Sequence, residues 1–238
     1  MVRPAAPAPR QTAAAVLDDA VGALAPHAGA NGLVQRIAAG QEPRSVFATF
    51  ALEQRQVIAS DRLSFQHLAR RADGDPPVAD FFDLLARGET RALELLAGLL
   101  DACELTEREI AGYQPRPGCQ AYPSYAARLA LSAEPTDVVI ALAANFAAWG
   151  GYCAAMDGAM REHYGFPDAA RGFFTLFAQP APELAEGARA AVQHGLDTGQ
   201  TRPAAAHGYG RLLQAYELMF WNTLGADSGT PPPAGPFL

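Results

Sequence analysis

Residues 138–156, VVIALAANFAAWGGYCAAM, carry no charged side chain over nineteen positions. As a helix this stretch extends about 28 Å, long enough to raise a membrane span as a reading. Its interior argues otherwise. It contains Asn145, the pair Gly150-Gly151 and many alanines, and it is bracketed by Asp137 and Asp157 rather than by basic residues. The stretch is therefore expected to be the buried central helix of a soluble protein. Pro135, suited to a first turn, opens it, and it runs to about Tyr164.

Outward from this helix the whole chain reads as helical, with strand alternation and Asn-Gly hairpins nearly absent. Short helices are expected at Thr12–Leu24 and Gly32–Ala39, and a long one from Ser45 to Arg71, ended by Asp73-Gly74-Asp75-Pro76-Pro77. Val78–Ala86 and Glu89–Cys103 follow as two helices, and Thr106 to Glu109 caps a short one. Pro115–Pro123 reads as a loop entering a helix to Ser132. After the central helix come Pro167–Ala178, Pro182–Thr198 and Pro203–Leu224. The organisation is a Pro/Ala-rich segment over 1–25, one helical domain over 26–225 and a Gly/Pro-rich tail over 226–238. No internal repeat is found.

Composition removes several chemistries. All 18 basic residues among 238 are Arg, so Schiff-base, pyridoxal-anchoring and phosphate-loop lysines are excluded. A net charge of −7 and scattered Arg argue against nucleic acid as a partner. Cys103, Cys119 and Cys153 are too few and too far apart for a zinc motif or a disulfide framework, and read as reduced thiols of a cytoplasmic protein. Met1–Arg10 shows no apolar signal core.

The informative residues are polar ones on apolar stripes, because an unpaired buried polar group costs a few kcal/mol. Phe47, Phe50, Val57, Ile58, Phe65 and Leu68 trace one face of the long helix, and Gln54 and Asp61 fall on it. Asn145 lies within the Val138, Leu142, Trp149, Tyr152, Met156 stripe of the central helix. Glu217 sits among Leu213, Tyr216, Phe220, Trp221 and Leu224 of the final helix. If the faces converge, they enclose an aromatic-walled pocket with a few polar groups, the usual anatomy of a small-molecule site. The plainer alternative is that these groups satisfy one another, or the backbone, in an ordinary core. Metal chemistry has little support: the five His show no HxxxH or HExxH spacing, and Glu94 and Asp101 share their face with no His.

Four stretches in order resemble the TenA/thiaminase II family, which has the all-helical heme-oxygenase-like fold. They are Gly32–Gly40 with Pro43 and Phe47, Leu52-Glu53-Gln54, Ala121-Tyr122-Pro123-Ser124-Tyr125, and the closing Tyr216-Glu217-Leu218-Met219-Phe220-Trp221. The resemblance spans about residues 30 to 224. It implies hydrolysis of thiamin or its aminopyrimidine breakdown products, Glu217 as acid/base, Tyr122 in the pocket and a homo-oligomer, dimer or tetramer. The family's nucleophilic Cys position falls on Asn145 and its aminopyrimidine-binding Asp on Gln54. Trp149 and Phe177 stand where tyrosines are usual. An amide cannot replace a thiolate as nucleophile, and Cys153 is roughly 80° around the helix from Asn145.

The resulting expectation is a TenA-like all-α bundle with a repurposed pocket. Glu217 is the catalytic candidate; Gln54, Asp61, Tyr122, Asn145, Trp149 and Phe177 are the binding candidates. The ligand is a planar, nitrogen-containing small molecule, with no metal, organic cofactor, nucleic acid or membrane involved. The alternatives are a Cys-less aminopyrimidine or thiamin-salvage hydrolase, and a non-catalytic ligand-binding or regulatory protein. A di-iron oxidase, as in relatives of the fold, lacks its His and carboxylate ligands here.

Overall fold

The computed structural model describes residues 11–226; the Pro/Ala-rich start over 1–10 and the tail from 227 lie outside the described residues. Among the described residues the chain forms ten α-helices and no strand. These are α1 Ala13–Leu24, α2 Gly32–Ala38, α3 Ser45–Arg71, α4 Pro76–Ala102, α5 Glu107–Gly112, α6 Pro117–Ser132, α7 Pro135–Glu162, α8 Asp168–Ala178, α9 Pro182–Thr198 and α10 Pro203–Ala226. Local chemistry sets their ends. Thr12 and Asn31 accept the backbone N–H of Ala15 and Val34, and Thr106 with Glu109 forms a reciprocal capping box. Pro occupies the first turn of α4, α6, α7 and α9, where its missing N–H has no intrahelical partner to lose.

Two expectations are corrected. The segments 78–86 and 89–103 are one helix, α4, running through Gly88. An interior Gly costs about 1 kcal/mol, and burial of Phe81, Phe82 and Leu85 on one side and Ala92, Leu96 and Leu99 on the other outweighs it. Likewise 115–123 is not a loop: α6 begins at Pro117 and continues through Pro123. Pro123 gives up one backbone bond, yet the helix still buries Cys119, Tyr125 and Leu129.

The helices bury two apolar clusters. The first gathers α1, the C-terminal half of α3, the N-terminal half of α4, and parts of α6, α7, α9 and α10. The second is richer in aromatics and gathers α2, the N-terminal half of α3, the C-terminal halves of α4, α7 and α10, and α8. The segment drawn at 1–25 contains α1, which packs on α7, α9 and α10 and buries Val16, Leu17 and Ala20 in the first cluster. By length and composition α7 is apolar enough to cross a membrane. In this fold α1, α2, α8, α9 and α10 pack around it, and its wholly buried Asp137 accepts the Arg202 backbone N–H at 2.6 Å.

α4 and α8 approach so closely at Gly98 that a Cβ there would stand 2.2 Å from the Ala169 carbonyl oxygen. Backbone cannot yield as a flexible side chain does. Gly98→Ala is therefore expected to destabilise the protein by about 1–3 kcal/mol, read as a lower urea midpoint with an unchanged slope.

Candidate functional site

Five helices pass from one apolar cluster to the other, and each carries a polar residue at or near its crossing. On α3, Asp61 lies between Ile58 of the second cluster and Phe65 of the first; on α4, Glu89 lies between Ala86 and Ala92. On α6, Tyr122 packs against both clusters. On α7, Asn145 follows Ala144 of the first, and on α10, Glu217 separates Leu213 of the first from Phe220 of the second. All five line one cavity at the seam, with Gln54, Trp149 and Phe177. The seven residues singled out from the sequence are thus brought together. Glu89 is an addition that the sequence reading lacks. Its signal is there in Phe82, Leu85, Glu89, Ala92 and Leu96 at helical spacing, but a break placed at Gly88 hides it.

Glu217 is buried and held by two donors. Asn145 Nδ2 donates to its Oε2 at 2.5 Å, and the indole N–H of Trp221, one turn on, donates to Oε1 at 3.3 Å. Asn145 is in turn oriented by the Tyr122 hydroxyl, which donates to Oδ1 at 3.1 Å. Burial raises the Glu217 pKa to about 7, and the bonds from Trp221 and Asn145 only partly oppose it. Sequence leaves that contest open; the structure gives it to desolvation. Trp221 as a donor is absent from the sequence reading, although its i,i+4 spacing from Glu217 is the signal that carries it. α6 is itself pinned to α3 by the wholly buried Glu53, which accepts from Tyr113 Oη at 2.6 Å, the Arg116 backbone N–H at 2.8 Å and Gln120 Nε2 at 2.9 Å.

Asp61 and Glu89 form a second acidic group outside that network. Asp61 Oδ1 is buried with no hydrogen-bond partner among the described residues. Burial raises the Asp61 pKa, and burial together with the Asp61 charge raises that of Glu89. The Tyr122 phenol is pushed well up by burial, then by the charges of Asp61, Glu217 and Glu89. Gln54, 4% exposed, makes no side-chain hydrogen bond among the described residues and faces the cavity.

The walls are aromatic. Trp149 meets Phe177 edge-on at 6.0 Å between centroids and lies 5.7 Å from Trp221. The cavity offers about 60 Å³ to the centre of a water-sized sphere, against ~10–15 Å³ for one water, room for a few waters or one small planar group. Cys153 is wholly buried in the second cluster, does not line the cavity, and has its thiol pushed well up by burial and by the Glu217 charge. It is no substitute nucleophile. Among the described residues no three His, Cys, Asp or Glu side chains are grouped to hold a metal ion.

Residues 32–224 match the TENA/THI-4/PQQC family, and the chain belongs to that family. No curated protein matches the sequence. Among solved structures, the chain is similar to a TenA homologue from P. horikoshii OT3, with 14% identity and a TM-score of 0.62 over 89% of this chain and 93% of that one. It is also similar to a TenA homolog from Pseudomonas syringae pv. tomato str. DC3000, with 13% identity and a TM-score of 0.67 over 92% and 97%. At these identities the likeness establishes the fold, the helical heme-oxygenase-like bundle.

Proposed function

We propose that this family member binds a planar, nitrogen-containing small molecule in the seam cavity and converts it by acid/base chemistry at Glu217, without metal or organic cofactor. The observation that carries the reading is the Glu217 carboxyl, fixed by Asn145 and Trp221, with a pKa of about 7. Such a group is divided between its two forms near neutral pH and can give or take a proton there. Asn145 at the place of the family's thiolate supports chemistry without a covalent intermediate, since an amide nitrogen donating to Glu217 is no nucleophile. Trp149 and Phe177 supply flat walls, and Gln54 a free amide for a ring nitrogen.

A second reading, hydrolysis of thiamin or an aminopyrimidine without the usual Cys, is favoured by family membership and by Glu217 within the closing motif. Mass spectrometry of small molecules retained through purification, followed by turnover assays on them and on thiamin, separates the two. Turnover of a retained compound alone supports the first, and thiamin hydrolysis supports the second. A retained compound that is never altered points instead to a binding or regulatory protein. Elemental analysis is expected to find sub-stoichiometric iron, manganese and zinc; activity lost to a chelator and restored by iron overturns the metal-free reading. The same proposal takes the protein as a cytoplasmic homo-oligomer, a dimer or tetramer, checked by light scattering.

A further inference from the structure

We infer that the cavity seats a cationic nitrogen of its ligand (amine, amidine or guanidine) between Asp61 of α3 and Glu89 of α4, apart from the Glu217 network. The inference names the ligand class for the small-molecule site proposed above and rests on that reading. Among the described residues three carboxyls line the cavity, and no Arg or His does. The lining therefore offers carboxyl acceptors with no cation among the described residues to answer them. Asp61 is 5% exposed, yet its Oδ1 has no partner among the described residues. An unpaired buried carboxylate costs several kcal/mol, and a buried polar atom left open toward a cavity marks the place of a missing partner.

The complementary chemistry is a group that brings N–H donors and positive charge together. A neutral amide supplies the donors without the charge, and an anion meets repulsion. The rings of Phe146, Trp149 and Phe177 face the same space and attract a cation through their quadrupoles. Glu89 also lines an open groove of about 920 Å³, between α1, α4, α7 and the α8–α9 connection. The groove is edged by Asp18 and Glu183, and among the described residues Arg189 is its single cation, so a cationic ligand is drawn in from that side. The groups facing the pair are Tyr122 from α6 and Glu217 from α10; α7 and α8 contribute Asn145 and aromatic rings. With no ligand, protons neutralise the pair, so a cation displaces them on binding and binds more tightly as pH rises.

The test uses the full chain and two probes, benzamidine, a planar cation, and benzamide, its neutral near-isostere. By calorimetry at pH 8, benzamidine is expected to bind at least about tenfold more tightly than benzamide. Asp61→Asn and Glu89→Gln are each expected to weaken benzamidine about tenfold or more and to leave benzamide unchanged. Between pH 8 and pH 5.5 benzamidine affinity should fall in the wild-type protein. No benzamidine binding, equal affinity for the two probes, or undiminished binding in a folded variant overturns the inference. If Asp61→Asn does not fold, Glu89→Gln and the wild-type pH series decide. No turnover enters this assay, so its failure leaves the role of Glu217 standing, and loss of that role leaves this assay intact.

Discussion

A Glu217→Gln protein is expected to keep its fold and its ligand while turnover falls by about 10²–10⁴. The substitution is isosteric, and the new amide oxygen can still accept from Asn145, the shorter of the two bonds that hold the carboxylate. What disappears is the exchangeable proton of a group titrating near pH 7. The pH profile supplies the sharper readout: the limb of turnover near neutral pH should vanish in the variant, not merely shift. Three roles give three results. An acid/base group loses turnover at constant affinity, a ligand anchor loses affinity at constant turnover, and a purely structural group lowers the melting temperature. A folded variant with near-wild-type turnover removes Glu217 from the mechanism.

The polar residues are legible in the sequence where their helices are long and uninterrupted. Gln54 and Asp61 on α3, Asn145 on α7 and Glu217 on α10 each break an apolar stripe whose period can be counted over several turns. Glu89 is not legible, because Gly88 reads as a helix break when local propensity is the only guide; the cost of one interior glycine is small beside the burial on both flanks of α4. Pro123 misleads in the same way, turning about the first two turns of α6 into a loop. In both places tertiary packing overrides a local signal, about 1 kcal/mol for the glycine and about 3 kcal/mol for the proline. The seam between the two clusters is equally out of reach. It depends on where five helices cross, and periodicity along one helix says nothing about its position against the next. The pKa of Glu217 lies beyond sequence for a related reason: its direction depends on how many donors reach a buried carboxylate, and only the packed structure counts them.

The second large effect expected is a gain in stability from a residue assigned to binding. The Asp61 pKa rises from an ordinary 3.8 to about 8 because burial disfavours its charge. The folded protein therefore holds this proton more tightly than the unfolded chain. Its contribution is complete below the unfolded pKa, shrinks with each pH unit above about 4, and is lost by the time pH passes about 8. Glu217, raised from 4.5 to about 7, acts in the same direction over a narrower window. Asp75 acts oppositely, since hydrogen bonds from His194 and Gln200 lower its pKa and its contribution is lost as pH falls. Comparing Asp61→Asn with wild type cancels Glu217 and Asp75, which titrate in both proteins, and reads Asp61 together with the part of the Glu89 shift that the Asp61 charge causes. The variant is expected to differ little near pH 5 and to be more stable by about 2–3 kcal/mol at pH 8, raising the melting temperature by about 5–10 °C in calorimetry. The amide introduced by the substitution stays neutral at every pH, so the curve flattens. A difference that stays constant from pH 5 to pH 8, or a less stable variant at pH 8, means Asp61 has a partner in the folded protein and is no open acceptor. A gain at pH 8 in the same variant that loses benzamidine means that the fold tolerates an unpartnered carboxylate at the seam for the sake of the cation it binds.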